Sequence, residues 1–428
     1  MITVDSSNLQ LNQFTSQKTK SFIMIKKFLP VILFIATIQI CTGQGPEVTS
    51  WIINTTGATG YNNIPSNVQQ VQFGNDNVYI STNCIPGYTI GPWPGNPNTP
   101  SSQNFVFKIT RMPMQNSGTP TATSLGHIGV WSNGVSIFNA LDAQSYQNMN
   151  VWHQNAQYWE GSGFDNCLGH PAPNGEYHHH VNPTCLYDDA DSLDHSPIIG
   201  YAFDGFPIYG AYGYSSPGLP GSTRRMLTSY RLRNITNRDS LPNGMPASSN
   251  GPAVGGQYQL GAYVEDYEYV PGLGDLDEHN GRFCITPDYP MGIYAYFVTL
   301  DENLDPAYPY VIGTTYYGVV QSGNTGPGSA HNIPSEPVVT YLPTGISDIT
   351  AVSASLYPNP AHELVQIAYS ESISQLLLYD ITGKILFELE PSIDQTKILI
   401  NISNFAEGIY LVRMNSRNGS LVTRFVKE

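Results

Sequence analysis

The sequence predicts a mainly β protein, built as a large irregular β-rich domain followed by a small Ig-like β-sandwich. Composition is the first indication. Only 12% of the 428 residues are charged, while 40 glycines, 32 prolines and 28 tyrosines favour turns and short strands over long helices. The second is segment length: apolar runs are short and bounded by Gly, Pro and Asn. The third is the C-terminal stretch, where a series of short strands surrounds a Thr-Gly-Lys turn. A hydrophobic content of 40% supports sizeable cores and excludes a disordered chain. A formal net charge of −15 and the lack of a Lys/Arg stripe exclude nucleic acid as a partner.

Taken in order, residues 1–43 form an N-terminal extension and a signal peptide. Met24, Ile25, Lys26 and Lys27 make a short basic region. An apolar run over 28–40 follows, then small residues Thr42 and Gly43. Met24 is an alternative start, since 1–23 is polar. The apolar run is shorter than the roughly 20 residues that span a bilayer, so export is expected rather than anchoring. Cys41 follows Ile40, a residue too large for a typical lipobox. Export makes the four remaining cysteines disulfide candidates. Three pairings are open to them. The favoured one joins Cys167 to Cys185, bracing the histidine-bearing loop, and Cys84 to Cys284, joining the ends of the domain. A Cys/His zinc site is the rival, but the cysteines lack the close spacing of structural zinc modules.

Residues 48–321 read as one domain. Strands are expected at 78–81, 105–110, 129–131, 198–203 and 293–299, a loop over the proline-rich 87–100, and a helix over 145–158. Nucleotide-binding, nucleophile-elbow and HExxH motifs are missing. The Gly/Ser/Pro/Asn-rich 322–348 reads as a linker. Residues 349–428 form the small domain, with a hairpin of Leu376, Leu377 and Leu378 against Ile385, Leu386 and Phe387, and further strands at 408–413 and 422–425.

Six of the ten histidines lie between His153 and His195, and His178, His179 and His180 are adjacent. In a strand, alternate side chains share a face. His178 and His180 then point one way, Tyr177 and His179 the other. Two neutral imidazoles on one face suit zinc or copper. His170 lies eight residues before His178, across a turn that can fold back, and is the third candidate ligand. Three histidines with an open fourth position describe a catalytic zinc site and also suit copper. His195 is a fourth ligand or a supporting group. Asp204, at a strand end before a turn, is placed to orient an imidazole or to bond its own backbone. Asp165, Tyr177 and Tyr209 complete the supporting set.

The competing reading is a polar network of the histidines with Tyr177, Tyr187 and Asp204. The acidic loop around Asp188, Asp189, Asp191 and Asp194 lacks EF-hand spacing and reads as solvated. The same holds for Glu265, Asp266, Asp275, Asp277 and Glu278. No spacing there singles out a carboxylate pair for glycoside hydrolysis.

Two resemblances sharpen this picture. Tyr357-Pro358-Asn359-Pro360, Tyr379-Asp380-Ile381-Thr382-Gly383-Lys384 and Gly408-Ile409-Tyr410-Leu411-Val412 resemble the type A sorting domain of type IX secretion cargo. The resemblance implies engagement of the type IX machinery and passage across the outer membrane of a Bacteroidetes-type bacterium, with release or surface attachment. Residues 129–138, 165–170, 177–180, 195–209 and 281–296 resemble the YHYH family. His179 stands where that family has its second Tyr, while His178 and His180 keep its two histidines. The resemblance supports the fold and the site and implies no particular reaction. The combined expectation is a secreted or surface metal-binding protein. A metal-dependent hydrolase or copper redox enzyme, and a metal-free glycan-binding or structural module using Trp152, Tyr158 and Trp159, are the alternatives.

Overall fold

A computed structural model describes residues 44–326, 328–343, 354–369, 373–381, 383–392, 395–416 and 419–428. The expected N-terminal extension and signal peptide, 1–43, lie outside them. Among the described residues no helix is long and apolar enough to cross a membrane.

The large domain is organised by two sheets. Twelve strands build them: β1 (Val68–Phe73), β2 (Asn77–Thr82), β3 (Phe105–Thr110), β4 (His127–Trp131), β5 (Ser136–Phe138), β6 (Gly169–Pro171), β7 (Tyr177–His179), β8 (Ile198–Ala202), β9 (Pro207–Tyr209), β10 (Gly281–Cys284), β11 (Ile293–Phe297) and β12 (Val339–Tyr341). The four-stranded sheet runs β12-β1-β2-β3, and the eight-stranded one β10-β11-β9-β8-β4-β5-β7-β6. Pairing is antiparallel except for β9/β11 and β5/β7. β3 alternates buried and half-exposed residues, as a strand with one wet face does. β4 and β8 are buried throughout, which explains their near-continuous apolar and glycine sequences. One core cluster, including Val71, Ile80, Phe107, Val130, Phe203 and Phe297, draws residues from both sheets. A second, around Trp131, Ile137, Tyr177, Ile208 and Tyr296, lies on the eight-stranded sheet.

Two expectations need correction. Residues 145–158 do not form one helix. Strands Leu141–Ser145 and His153–Asn155 pair as a hairpin, and a single α-turn, Ala156–Trp159, follows. Gln147, Asn148 and Asn150 all take positive φ between those strands, a conformation Asn tolerates and a helix forbids. The Asn155 side chain caps the α-turn by accepting from the Gln157 N–H. Nor is 322–348 a free linker in its described part. Asn324 is fully buried and bonds both backbone groups of Lys108, Val106 bridges His331, and β12 pairs with β1.

The small domain consists of two sheets. The strands Ala354–Tyr357 (β13), Leu364–Tyr369 (β14) and Lys397–Asn401 (β17) make one, in the order β13-β14-β17. Ile373–Asp380 (β15), Ile385–Leu389 (β16), Gly408–Ser416 (β18) and Gly419–Lys427 (β19) make the other, in the order β16-β15-β18-β19. Val365, Ile367 and Ile400 from the first share a core with Leu376, Leu378, Val412 and Phe425 from the second, as in a β-sandwich.

Candidate metal centre

The hairpin β6–β7 builds the site. Its register sets His170 directly across from His178, Gly169 across from His179 and Pro171 across from Tyr177. The connecting turn closes with Gly175 N–H donating to the Ala172 carbonyl, and Gly175 takes φ +82°. Gly169 is required for a different reason. A Cβ there would stand 2.3 Å from Tyr177 Oη and 2.9 Å from His179 Nε2. The hairpin is tied to the chain around it by the Cys167–Cys185 disulfide, whose loop contains both strands.

The two faces of β7 divide as the alternation requires. On one, His170, His178 and His180 are buried together, each offering a ligand atom within 4.8 Å of the others. On the other, His179 packs against Trp131 and Tyr177. Phe138 stacks on His178 with ring centroids 3.8 Å apart, and Phe164 packs on His170.

Hydrogen bonds settle the tautomers of two imidazoles. His178 Nδ1 lies 3.0 Å from the Glu176 carbonyl oxygen, and His180 Nδ1 lies 2.6 Å from the Asn139 carbonyl oxygen. A carbonyl only accepts, so each Nδ1 carries a proton, and in the neutral ring each Nε2 then carries the lone pair. Those two Nε2 atoms face one another at 3.1 Å. Glu160 Oε2, another acceptor, lies 3.3 Å from His180 Nε2 and 3.7 Å from His170 Nε2. His170 is set differently. Its Nδ1 faces the Asn96 amide nitrogen at 3.3 Å, and that amide is oriented by bonds to the Pro171 carbonyl and the Asn98 N–H. Neutral His170 therefore keeps its proton on Nε2, toward Glu160.

Burial disfavours protonation of His178 and His170. It pushes His178 well below the ordinary histidine value and His170 down to about 4, with the neighbouring histidines adding to the effect. His179 falls to about 3, again chiefly through burial. Burial alone would raise the Glu160 carboxyl, but the hydrogen bond and charge of His180 and the charge of His170 hold it below its usual value. The cluster opens onto a cleft of about 530 Å³ whose walls include Asn96, Leu125, Asp142, Trp159 and Glu160.

Several expected site residues lie elsewhere. His195 is not in the cluster: its ring is enclosed by Tyr209, Tyr214 and Phe297, and its Nδ1 bonds the Ser196 carbonyl. Tyr209 bonds Thr286 and Asp288. Asp204 orients no imidazole. It accepts from Tyr296 Oη, Gly318 N–H and Phe206 N–H, and burial raises its carboxyl to about 6. It is a turn residue fixed beneath β11. Asp165 and Tyr177 work behind the hairpin: Asp165 accepts from Gly91, Trp93, Cys167, Gly169 and Tyr177, knotting the 87–100 loop to β6 and β7.

Cys84 and Cys284 are not bridged; both are buried free thiols. Cys84 is committed to the strands, its sulfur lying 3.0 Å from the Tyr177 carbonyl and 3.3 Å from Ser136 Oγ. Glu160, Asn139 and Asn96 were not anticipated. They belong to no motif, and only folding brings them to the histidines.

The fold and site thus define a β-rich protein with a buried cluster of three histidines at the base of a cleft. Residues 106–308 match the YHYH protein family and residues 355–428 match the secretion system C-terminal sorting domain. The chain carries a YHYH domain followed by a type IX sorting domain, which implies export to the cell surface or beyond. No curated protein matches the chain. Among solved structures it is similar to PorZ, described as an essential bacterial surface component of the type-IX secretion system of Porphyromonas gingivalis. Identity is 14%, over 84% of this chain and 51% of PorZ, with a TM-score of 0.17. The chain spans about half of that structure, and so low a score carries no argument about shared architecture.

Proposed function

We propose that this is an exported protein that binds a transition metal, zinc or copper, through His178 Nε2 and His180 Nε2, with His170 and Glu160 completing the donor set. One observation carries the reading. With both rings neutral, carbonyls on the far side of each ring turn two Nε2 lone pairs toward one another at 3.1 Å. Buried acceptors so placed favour a cation between them, and burial disfavours a proton on His178. Ligand nitrogens about 2.0–2.1 Å from zinc are spaced comparably. His170 joins once its proton moves to Nδ1 and the Asn96 amide turns its oxygen toward it.

The cleft favours a metal that substrates can reach, hence a metal-dependent hydrolase or a copper redox enzyme over a closed structural site. Trp159 on the cleft wall supports a second reading, a glycan-binding site. Glycan-array binding that survives His178→Ala would select that reading. We further assign 1–43 to a leader, the YHYH domain to 48–342 including β12, and 349–428 to the sorting domain. That sorting domain engages the type IX machinery of a Bacteroidetes-type cell, with surface attachment as one end point.

Elemental analysis of protein purified from culture medium is the direct test. The expected result is close to one equivalent of zinc or copper, and a melting temperature that rises when that metal is restored to chelated protein. At 100 times the dissociation constant the gain is roughly 2.7 kcal/mol. Metal-free protein whose melting temperature ignores both metals would overturn the proposal.

A further inference from the structure

Beside the histidine cluster lies a second cleft, of about 570 Å³, lined among others by Phe105, Leu125, Phe138, Asn174, Glu176 and Ser329. The first residue of β4, His127, is buried at its base. Its ring is boxed by Phe105, Phe107, Phe138 and Phe203, at centroid distances from 5.4 to 6.5 Å. Its Nδ1 lies 3.0 Å from Glu176 Oε1, and both side chains are nearly fully buried. With Nδ1 turned to the carboxylate, the ring presents Nε2 on its other side. Nε2 lies 3.1 Å from Ser329 Oγ, on a half-buried turn residue that lines the cleft.

We propose that Ser329, His127 and Glu176 form a nucleophile–base–carboxylate relay that acts on carboxylic esters in this cleft. The three side chains meet the distance requirement for such a relay. Ser329 Oγ is also 3.0 Å from the Asn324 carbonyl, so its proton has two acceptors; swinging to His127 readies the oxygen for attack. In the acyl-transfer step the Oγ–acyl carbon bond forms and the carbon–alkoxide bond of the ester breaks. The Oγ proton passes to His127 Nε2 and then to the departing alkoxide. Water then attacks the acyl-serine, gives a proton to His127, and releases the carboxylic acid, with that proton returning to Ser329. Phe105, Leu125, Phe138 and Ala172 suit an apolar acyl group. Among the described lining residues there is no Lys or Arg, so an anionic substrate would meet no counter-charge.

This relay is independent of metal. Two residues touch both sites: the Glu176 carbonyl accepts from His178 while its carboxylate holds His127, and Phe138 packs on both histidine rings. The test uses the full-length protein in excess EDTA, treated with a fluorophosphonate and with p-nitrophenyl acetate. Peptide mapping is expected to find one phosphonate adduct, on Ser329, absent from Ser329→Ala. Ester hydrolysis should fall to background in that variant, which alters a half-exposed turn and leaves the melting temperature unchanged. Glu176→Gln, nearly isosteric, should label at least tenfold more slowly while keeping the wild-type melting temperature. No adduct on Ser329, or equal labelling rates in wild type and a folded Glu176→Gln, would overturn the proposal. If Glu176→Gln does not fold, His127→Gln replaces it under the same criterion.

Discussion

His178 and His179 are adjacent in the chain yet face opposite sides of β7, because each step along a strand reverses the side chain's direction, and His180 just beyond it returns to the side of His178. Replacing His178 or His180 with Ala should abolish metal uptake, measured by elemental analysis. His179→Phe should leave the metal content unchanged, since His179 faces Trp131 and Tyr177. Asn96 is the more informative residue. Asn96→Asp would place a carboxylate against His170 Nδ1, fix the proton there and free Nε2. We expect zinc or copper to bind roughly tenfold more tightly, checked by competition with a chelator. The cluster also sets an acid limit on the metal-free fold. Histidines whose folded values lie below 6.5 bind fewer protons folded than unfolded, so their contribution is complete above about 6.5 and is lost as pH falls toward 4. His170 alone accounts for up to about 3 kcal/mol at the acid end of that window. Asp204, raised to about 6, acts in the opposite sense, losing stability as pH rises from about 4 to about 6. Asp142, Asp189 and Asp277 are raised by burial in the same sense as Asp204, so the histidine contribution is read by difference: between pH 6.5 and 4 the urea midpoint should fall less in His179→Phe than in the wild type.

At the scale of elements, the hairpin β6–β7 is the unit on which the site depends. The turn between His170 and His178 is readable from Pro171-Ala172-Pro173-Asn174-Gly175, because these residues have few conformational choices. Gly169→Ala should shift the hairpin, since its new Cβ would overlap Tyr177 Oη. A loss of about 1–3 kcal/mol is expected in thermal melts, together with reduced metal content. Reducing the Cys167–Cys185 bond reopens an 18-residue span. Loop-closure entropy predicts a loss of about 3 kcal/mol, measured by denaturation with and without reductant. Residues 145–158, before the hairpin, are the best helix candidate in the sequence, but their apolar residues follow no convincing helical period. What decides against a helix is the left-handed backbone at Gln147, Asn148 and Asn150, and the result matters for the site. The short α-turn that survives ends at Glu160 and delivers its carboxylate to His180.

For the whole molecule, β12 supports the proposal that the large domain extends past 321. It pairs with β1, and the preceding segment buries Asn324 and Ala330. A chain ending at Leu342 should fold with the full-length domain's melting temperature, whereas one ending at Gln321 should melt lower and expose β1 as an edge. Removing 355–428 should leave the protein inside the cell envelope, seen by fractionation, because the sorting domain directs export. The 322–348 composition resembles a linker because Gly, Ser and Pro specify turns equally well in free and in docked segments.

Two kinds of information separate along these scales. The β class, the small C-terminal sandwich, the alternation of His178 and His180 and the return to His170 were legible along the chain. Each depends on local chemistry: turn residues, strand period and short spacing. The placement of Glu160, Asn96 and Asn139, the departure of His195 to a Tyr209–Tyr214–Phe297 box, and the separate burial of Cys84 and Cys284 were not. These depend on which distant strands lie side by side. That is decided by how the two sheets bury their apolar faces, a property of the packed whole that no local spacing encodes.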